Sequence, residues 1–187
     1  VWLTLPASPP YINGRGADGT LAPSQNMRQC NCTVCHKMGF FHVRTADAPR
    51  DFALLAPLDP MRELGDYTAN SHGMHWLFCR RCGVRCFAIE GEGGVVERDL
   101  VRDGVVDLAR ARVGEGEGSA VKVWAVREEG WSEEGTSWLR INARTLEARQ
   151  EGLDMREWHD GKWIEYVNWL DEIEGKSHDG PYDGGAY

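Results

Sequence analysis

The spacing of its cysteines constrains this chain more than any other feature of the sequence. Cys30, Cys32 and Cys35 stand in QCNCTVC, Cys79 and Cys82 in FCRRCG, and Cys86 follows close behind. A C-x-x-C knuckle turns its backbone so that two sulfurs meet one ion at about 2.3 Å. A disulfide needs α-carbons about 4.4–6.8 Å apart with correctly aimed β-carbons, which cysteines one or two residues apart on a tight loop supply poorly. Both groups therefore read as ligands of a soft divalent metal, with zinc first.

The rest of the chain reads as short strands between turn residues, a mainly β pattern. Its 187 residues can bury an ordinary core as a single domain. Val1, Leu3 and Leu5 alternate with Trp2 and Thr4, so the first residues read as a strand already under way. Residues 40–44, 52–55, 121–126 and 138–143 are further candidates. MHWLFC and VRCFAI flank the second cysteine group and predict a hairpin whose turn is the metal knuckle, with Gly83 supplying the freedom the turn needs. The stretch 91–118 is rich in glycine and charge, so its ends are expected as mobile loops, as is REEGWSEEGTS after it. Trp163, Tyr166, Val167, Leu170 and Ile173 recur at three- and four-residue steps and predict one amphipathic helix over 162–174. The expected organisation is one zinc domain over 1–174 and a turn-rich tail over 175–187.

Charge narrows the partners. With 29 acidic against 21 basic residues and a net charge of −8, nucleic acid and anionic membranes are poor partners. No apolar run reaches the ~18 residues of a membrane span. The start, VWLTLPASPPYINGRG, lacks the basic and apolar regions of a signal peptide, and closely spaced cysteines suit a reducing compartment, so the expected location is cytoplasmic.

The first cysteine group carries the chemistry. C-x-C-x-x-C offers three thiolates from one loop with no obvious fourth ligand, since His36 adjoins Cys35 too closely to share one ion comfortably. Catalytic zinc sites commonly keep a position for substrate, whereas structural ones fill all four with protein. Spacing alone leaves both readings open, the second with a distant residue as fourth ligand.

CNCTVCHKMG, followed some forty residues later by HWLFCRRCGVRCF, resembles the glutathione-dependent formaldehyde-activating enzymes. SWLRINARTLE and WIEYVNWL extend the likeness, especially to fungal members, from about Met27 to the C-terminus. The resemblance implies a β-tent fold of short antiparallel sheets with two zinc sites. On that basis Cys30, Cys32 and Cys35 hold the catalytic zinc, while Cys79 and Cys82 hold a structural zinc together with an N-terminal C-x-C. It also implies a carbon–sulfur lyase, similar to S-(hydroxymethyl)glutathione synthase, that joins a small-molecule thiol such as glutathione to an electrophile such as formaldehyde. No C-x-C precedes Cys30, so half of the structural site is missing from the sequence. The strand-like start predicts that residues before Val1 are lacking; otherwise Cys86 with His72 or His75 completes the site, although Cys86 in VRCFAI also reads as a small buried hydrophobe.

Further candidates are weaker. Arg140, Asn142 and Arg144 alternate and would share a strand face, so Arg140 and Arg144 are candidate partners for substrate carboxylates. Lys37 could steer an anion, and Asp66 and Tyr67 could exchange protons. Two alternatives to the glutathione enzyme stand beside it. One is a related tailoring enzyme acting on a larger secondary-metabolite substrate. The other is a non-catalytic zinc-stabilised module that binds protein, as the family's kinship with centromere protein V permits.

Overall fold

The computed structural model describes residues 1–3, 5, 25–69, 72–99, 120–129, 131, 137–149, 153–171, 176–178 and 180–182. The chain is mainly β with short helices only. In chain order its elements are β1 (Trp2–Leu3), β2 (Asn26–Cys30), α1 (Thr33–Met38), β3 (Phe41–Arg44), α2 (Ala48–Asp51), β4 (Phe52–Ala53), α3 (Pro60–Glu63), β5 (Gly65–Thr68), β6 (His75–Phe78) and β7 (Arg85–Glu90). There follow β8 (Gly93–Asp99), β9 (Ala120–Val126), β10 (Trp138–Asn142), a 3-10 turn (Ala143–Thr145), α4 (Met155–Asp160), β11 (Ile164–Asn168) and β12 (Lys176–His178).

Eight strands form one sheet in the order β12-β11-β2-β3-β10-β7-β6-β5. The pairing of β11 with β2 is parallel, so the expectation of purely antiparallel sheets is corrected to a mixed sheet. One face buries Met27, Phe41, Val43, Leu77, Phe87, Ile89, Leu139 and Ile141, the alternate residues of their strands. The β8–β9 hairpin and β4 close over this face. Trp124 meets Phe52 and Phe87 there, with ring centroids 6.3 and 6.0 Å away. Gly93 is required for this contact, since a β-carbon on it would lie 2.0 Å from the Trp124 ring. The start of the glycine-rich stretch is therefore a strand rather than the expected loop, and residues 100–119 lie outside the described ones.

The helix expected over 162–174 is corrected too. Ile164–Asn168 is a strand, and helix α4 precedes it. Every residue of β11 is buried, because the strand lies between β12 and β2 with both faces covered. A strand buried on both faces loses the alternation that marks it, and its apolar residues can then fall at helical steps by chance. β11 also buries Glu165, held by Arg28 at 2.7 Å and by the Ser177 hydroxyl. Within the expected tail, Lys176–His178 pairs with β11, and Tyr182 stacks on His178 with ring centroids 4.3 Å apart.

Candidate metal centre

The opposite face of the sheet carries a second, smaller cluster of Cys30, Cys35, Phe40, Trp76 and Ala88, flanked by Cys32, Val34, Met38, Met74 and Trp138. Cys30 is the last residue of β2, Cys32 caps α1, and Cys35 faces inward from that helix. The unit ends at Gly39, whose φ of 62° is left-handed, and this lets β3 turn back beside β2. Its backbone is folded around sulfur. The Cys32 N–H points to Cys30 Sγ and the Cys35 N–H to Cys32 Sγ, each at 3.4 Å. The loop is tied to the far end of the chain by two buried asparagines. Asn31 donates to Asn168 Oδ1 at 2.8 Å, and its own Oδ1 accepts from the N–H groups of Trp169 and Leu170 at 2.8 and 3.2 Å.

The three sulfurs lie within 4.8 Å of one another, and among the described residues no histidine, cysteine or carboxylate atom joins them as a fourth member of that group. His36 is exposed. Three converging soft donors, two of them accepting backbone N–H groups, fit a zinc ion. Their mutual proximity also sets their protonation. Cys32 lies well below the ordinary thiol range, because the thiols of Cys30 and Cys35 both donate to it. Cys30 and Cys35 are raised correspondingly, chiefly through these same shared hydrogen bonds and secondarily through burial. The metal-free cluster therefore holds its first negative charge on Cys32.

His42, buried in β3, meets this cluster with Nε2 3.1 Å from Cys35 Sγ. Burial, with Arg140 nearby, holds its pKa down to about 3. Phe40, Trp76 and Trp138 surround it, with ring centroids 4.7, 6.0 and 5.9 Å away. The sequence reading passes over His42. Its one signal is a lone polar residue in the apolar run FFHV.

The second group forms the expected hairpin turn. Cys79 N–H donates to Val84 O at 2.9 Å, Gly83 N–H to Cys79 O at 2.8 Å, and Gly83 has φ 74°. Cys79 and Cys82 are within hydrogen-bond reach of each other, and backbone N–H groups of Cys82 and Arg81 lower the Cys79 thiol. Among the described residues no third ligand groups with them. Cys86 instead lies against Val84 O, while His75 pairs with Asp66 at 2.7 Å and His72 with Thr68 at 2.9 Å. The completion of that site by Cys86 with a histidine does not form.

Arg140 and Arg144 are not brought together. β10 ends at Asn142, whose side chain caps the following 3-10 turn, so Arg144 leaves the strand and is exposed. Arg140 is buried, its guanidinium 4.6 Å above the Trp138 ring. A groove of about 480 Å³ runs between α1 and the second knuckle. Its walls are Thr33, Val34, Lys37 and Met38 of α1, Tyr67 of β5, and Gly83 and Arg85. Lys37 and Arg85 are thus the cationic residues that line this groove along α1. Compared with protein-family models, curated proteins and solved structures, the chain finds no match. Among the described residues no helix is long and apolar enough to cross a membrane.

Proposed function

We propose that the chain is a zinc-dependent carbon–sulfur lyase or synthase, of β-tent fold, that forms or cleaves the adduct of a small-molecule thiol with an electrophilic carbon at the three-cysteine centre. The observation that carries this reading is the convergence of Cys30, Cys32 and Cys35 within 4.8 Å without a fourth ligand among the described residues. Glutathione and formaldehyde are the substrates that the family resemblance suggests.

Cys30, Cys32 and Cys35 would hold the ion, which when bound lowers the pKa of a thiol or polarises a carbonyl oxygen. A free thiol of pKa ~8.5 is ~3% ionised at pH 7, so complete ionisation gains at most ~30-fold, about 2 kcal/mol. Positioning must therefore supply more of the acceleration. Val34, Met38 and Tyr67 give the groove along α1 apolar walls, and Lys37 and Arg85 give it positive charge for substrate carboxylates. The sheet behind the cysteines is sealed by Phe40, Trp76 and Ala88.

The test is exchange of labelled formaldehyde with glutathione, followed by NMR on protein of measured zinc content. Wild-type protein is expected to accelerate exchange and Cys32→Ser to lose that acceleration while keeping its circular dichroism. Equal rates for the two would overturn the proposal.

A further inference from the structure

His42 joins three features: it is 3% exposed, Nε2 lies 3.1 Å from Cys35 Sγ, and Nδ1 has no hydrogen-bond partner among the described residues. It also sits mid-sheet in register with Arg28 on β2 and Asn142 on β10, walled by Phe40, Trp76 and Trp138. Such walls permit little ring movement. A thiolate ligand has only lone pairs to offer, so a 3.1 Å contact with it requires the proton on Nε2. A second proton on Nδ1 would be a buried donor without an acceptor, which is costly. The surroundings thus select the Nε2–H tautomer.

We propose that His42 is a positioning residue for the metal centre, its Nε2–H donating to the Cys35 thiolate from outside the ligand set. The inference rests on the three-cysteine metal reading. Because Cys35 stands on a six-residue helix, an anchor from the rigid sheet fixes the one sulfur whose backbone is least constrained by the strand. The hydrogen bond also withdraws charge from Cys35. A zinc thiolate beside an electrophile is itself open to alkylation, and the donated proton directs reaction to the incoming thiol instead of the protein's own sulfur. Sequence carries one hint of this: in the run FFHV, His42 is the lone polar residue, and alternation along β3 sets it on the opposite face from Phe41 and Val43.

The test uses the full chain with Cys79→Ser throughout, so that the two-sulfur knuckle does not contribute. Cobalt binding is titrated through the sulfur-to-metal charge-transfer band, and zinc affinity is measured by competition with a chromophoric chelator. His42→Phe, which keeps an aromatic ring in the cage, should weaken zinc ~10- to 100-fold and shift the band. His42→Gln, whose amide places an N–H near the position of Nε2, should recover most of that loss. Alkylation of Cys35 in the zinc-loaded protein, read by mass spectrometry, should accelerate in His42→Phe and less in His42→Gln. Affinity, band and alkylation unchanged in His42→Phe would overturn the role of His42 with the metal reading intact. No metal binding by the parent protein would overturn both. Glutamine behaving like phenylalanine would remove the hydrogen bond from the account, and imidazole scattering in the zinc X-ray absorption spectrum would make His42 a direct ligand instead.

Discussion

Proton release on metal binding follows from the arrangement of the three sulfurs. In metal-free protein near neutral pH, Cys32 is ionised, Cys30 is pushed up to about 11 and Cys35 is raised further out of the ordinary thiol range. Zinc takes all three as thiolates, so two protons must leave. Protons compete with the metal, so affinity falls as pH falls. Each released proton changes the apparent constant about tenfold per pH unit, or ~1.36 kcal/mol. Two protons weaken binding ~100-fold, about 2.7 kcal/mol, for each unit of acidification around neutrality. The assay is chelator competition across about pH 6.5–7.5 on the Cys79→Ser protein, with calorimetry in two buffers of unlike protonation enthalpy to count protons directly. A release of three would refute the charge on Cys32. One or none would refute the protonated state of Cys30 and Cys35, or their role as ligands.

Other perturbations test the frame that holds the centre. Asn31→Ala removes the acceptor for the Trp169 and Leu170 N–H groups; Leu170 N–H and Asn168 Oδ1 keep each other, so one group, Trp169 N–H, is left unsatisfied, and urea unfolding should show a loss of about 1–3 kcal/mol. A loss within ~0.5 kcal/mol would place that N–H group in water. Gly93→Ala brings a β-carbon to 2.0 Å from the Trp124 ring, and forced displacement of a packed ring should cost ~1–3 kcal/mol with a changed tryptophan emission. Unchanged emission and midpoint would show that the hairpin does not rest on that ring.

Legibility in the sequence followed local chemistry. The two cysteine groups, Gly83 and the hairpin MHWLFC–VRCFAI could be read because spacing and turn chemistry act over a few residues. β9 could be read because its partly exposed first half leaves a pattern, and β10 because Leu139 and Ile141 alternate with Arg140 and Asn142 in sequence although all four are buried. β11 could not: five buried residues in a row carry no period of two, and their partner β2 is named nowhere nearby. The early strand β8 was hidden by its glycines, of which Gly93 admits the Trp124 indole from β9. The arginines failed for a related reason. Alternation predicted one face, but an asparagine that bonds backbone across three segments ended the strand between them. His42 lay in plain view and gained meaning only when β3 folded back against Cys35.

The parallel pairing of β11 with β2 also orders events in time. The cysteine loop leaves β2, yet the strand that flanks it, and the turn that Asn31 clasps, arrive 137 residues later. Contacts so distant along the chain pay their loop-closure entropy late and fold slowly. During synthesis the three thiols of QCNCTVC therefore emerge long before their scaffold exists. A metal captured early would be held by a peptide and not by a site. The settled centre belongs to the last stage of folding, when β11 slots in beside β2 and carries the Asn168 turn to Asn31.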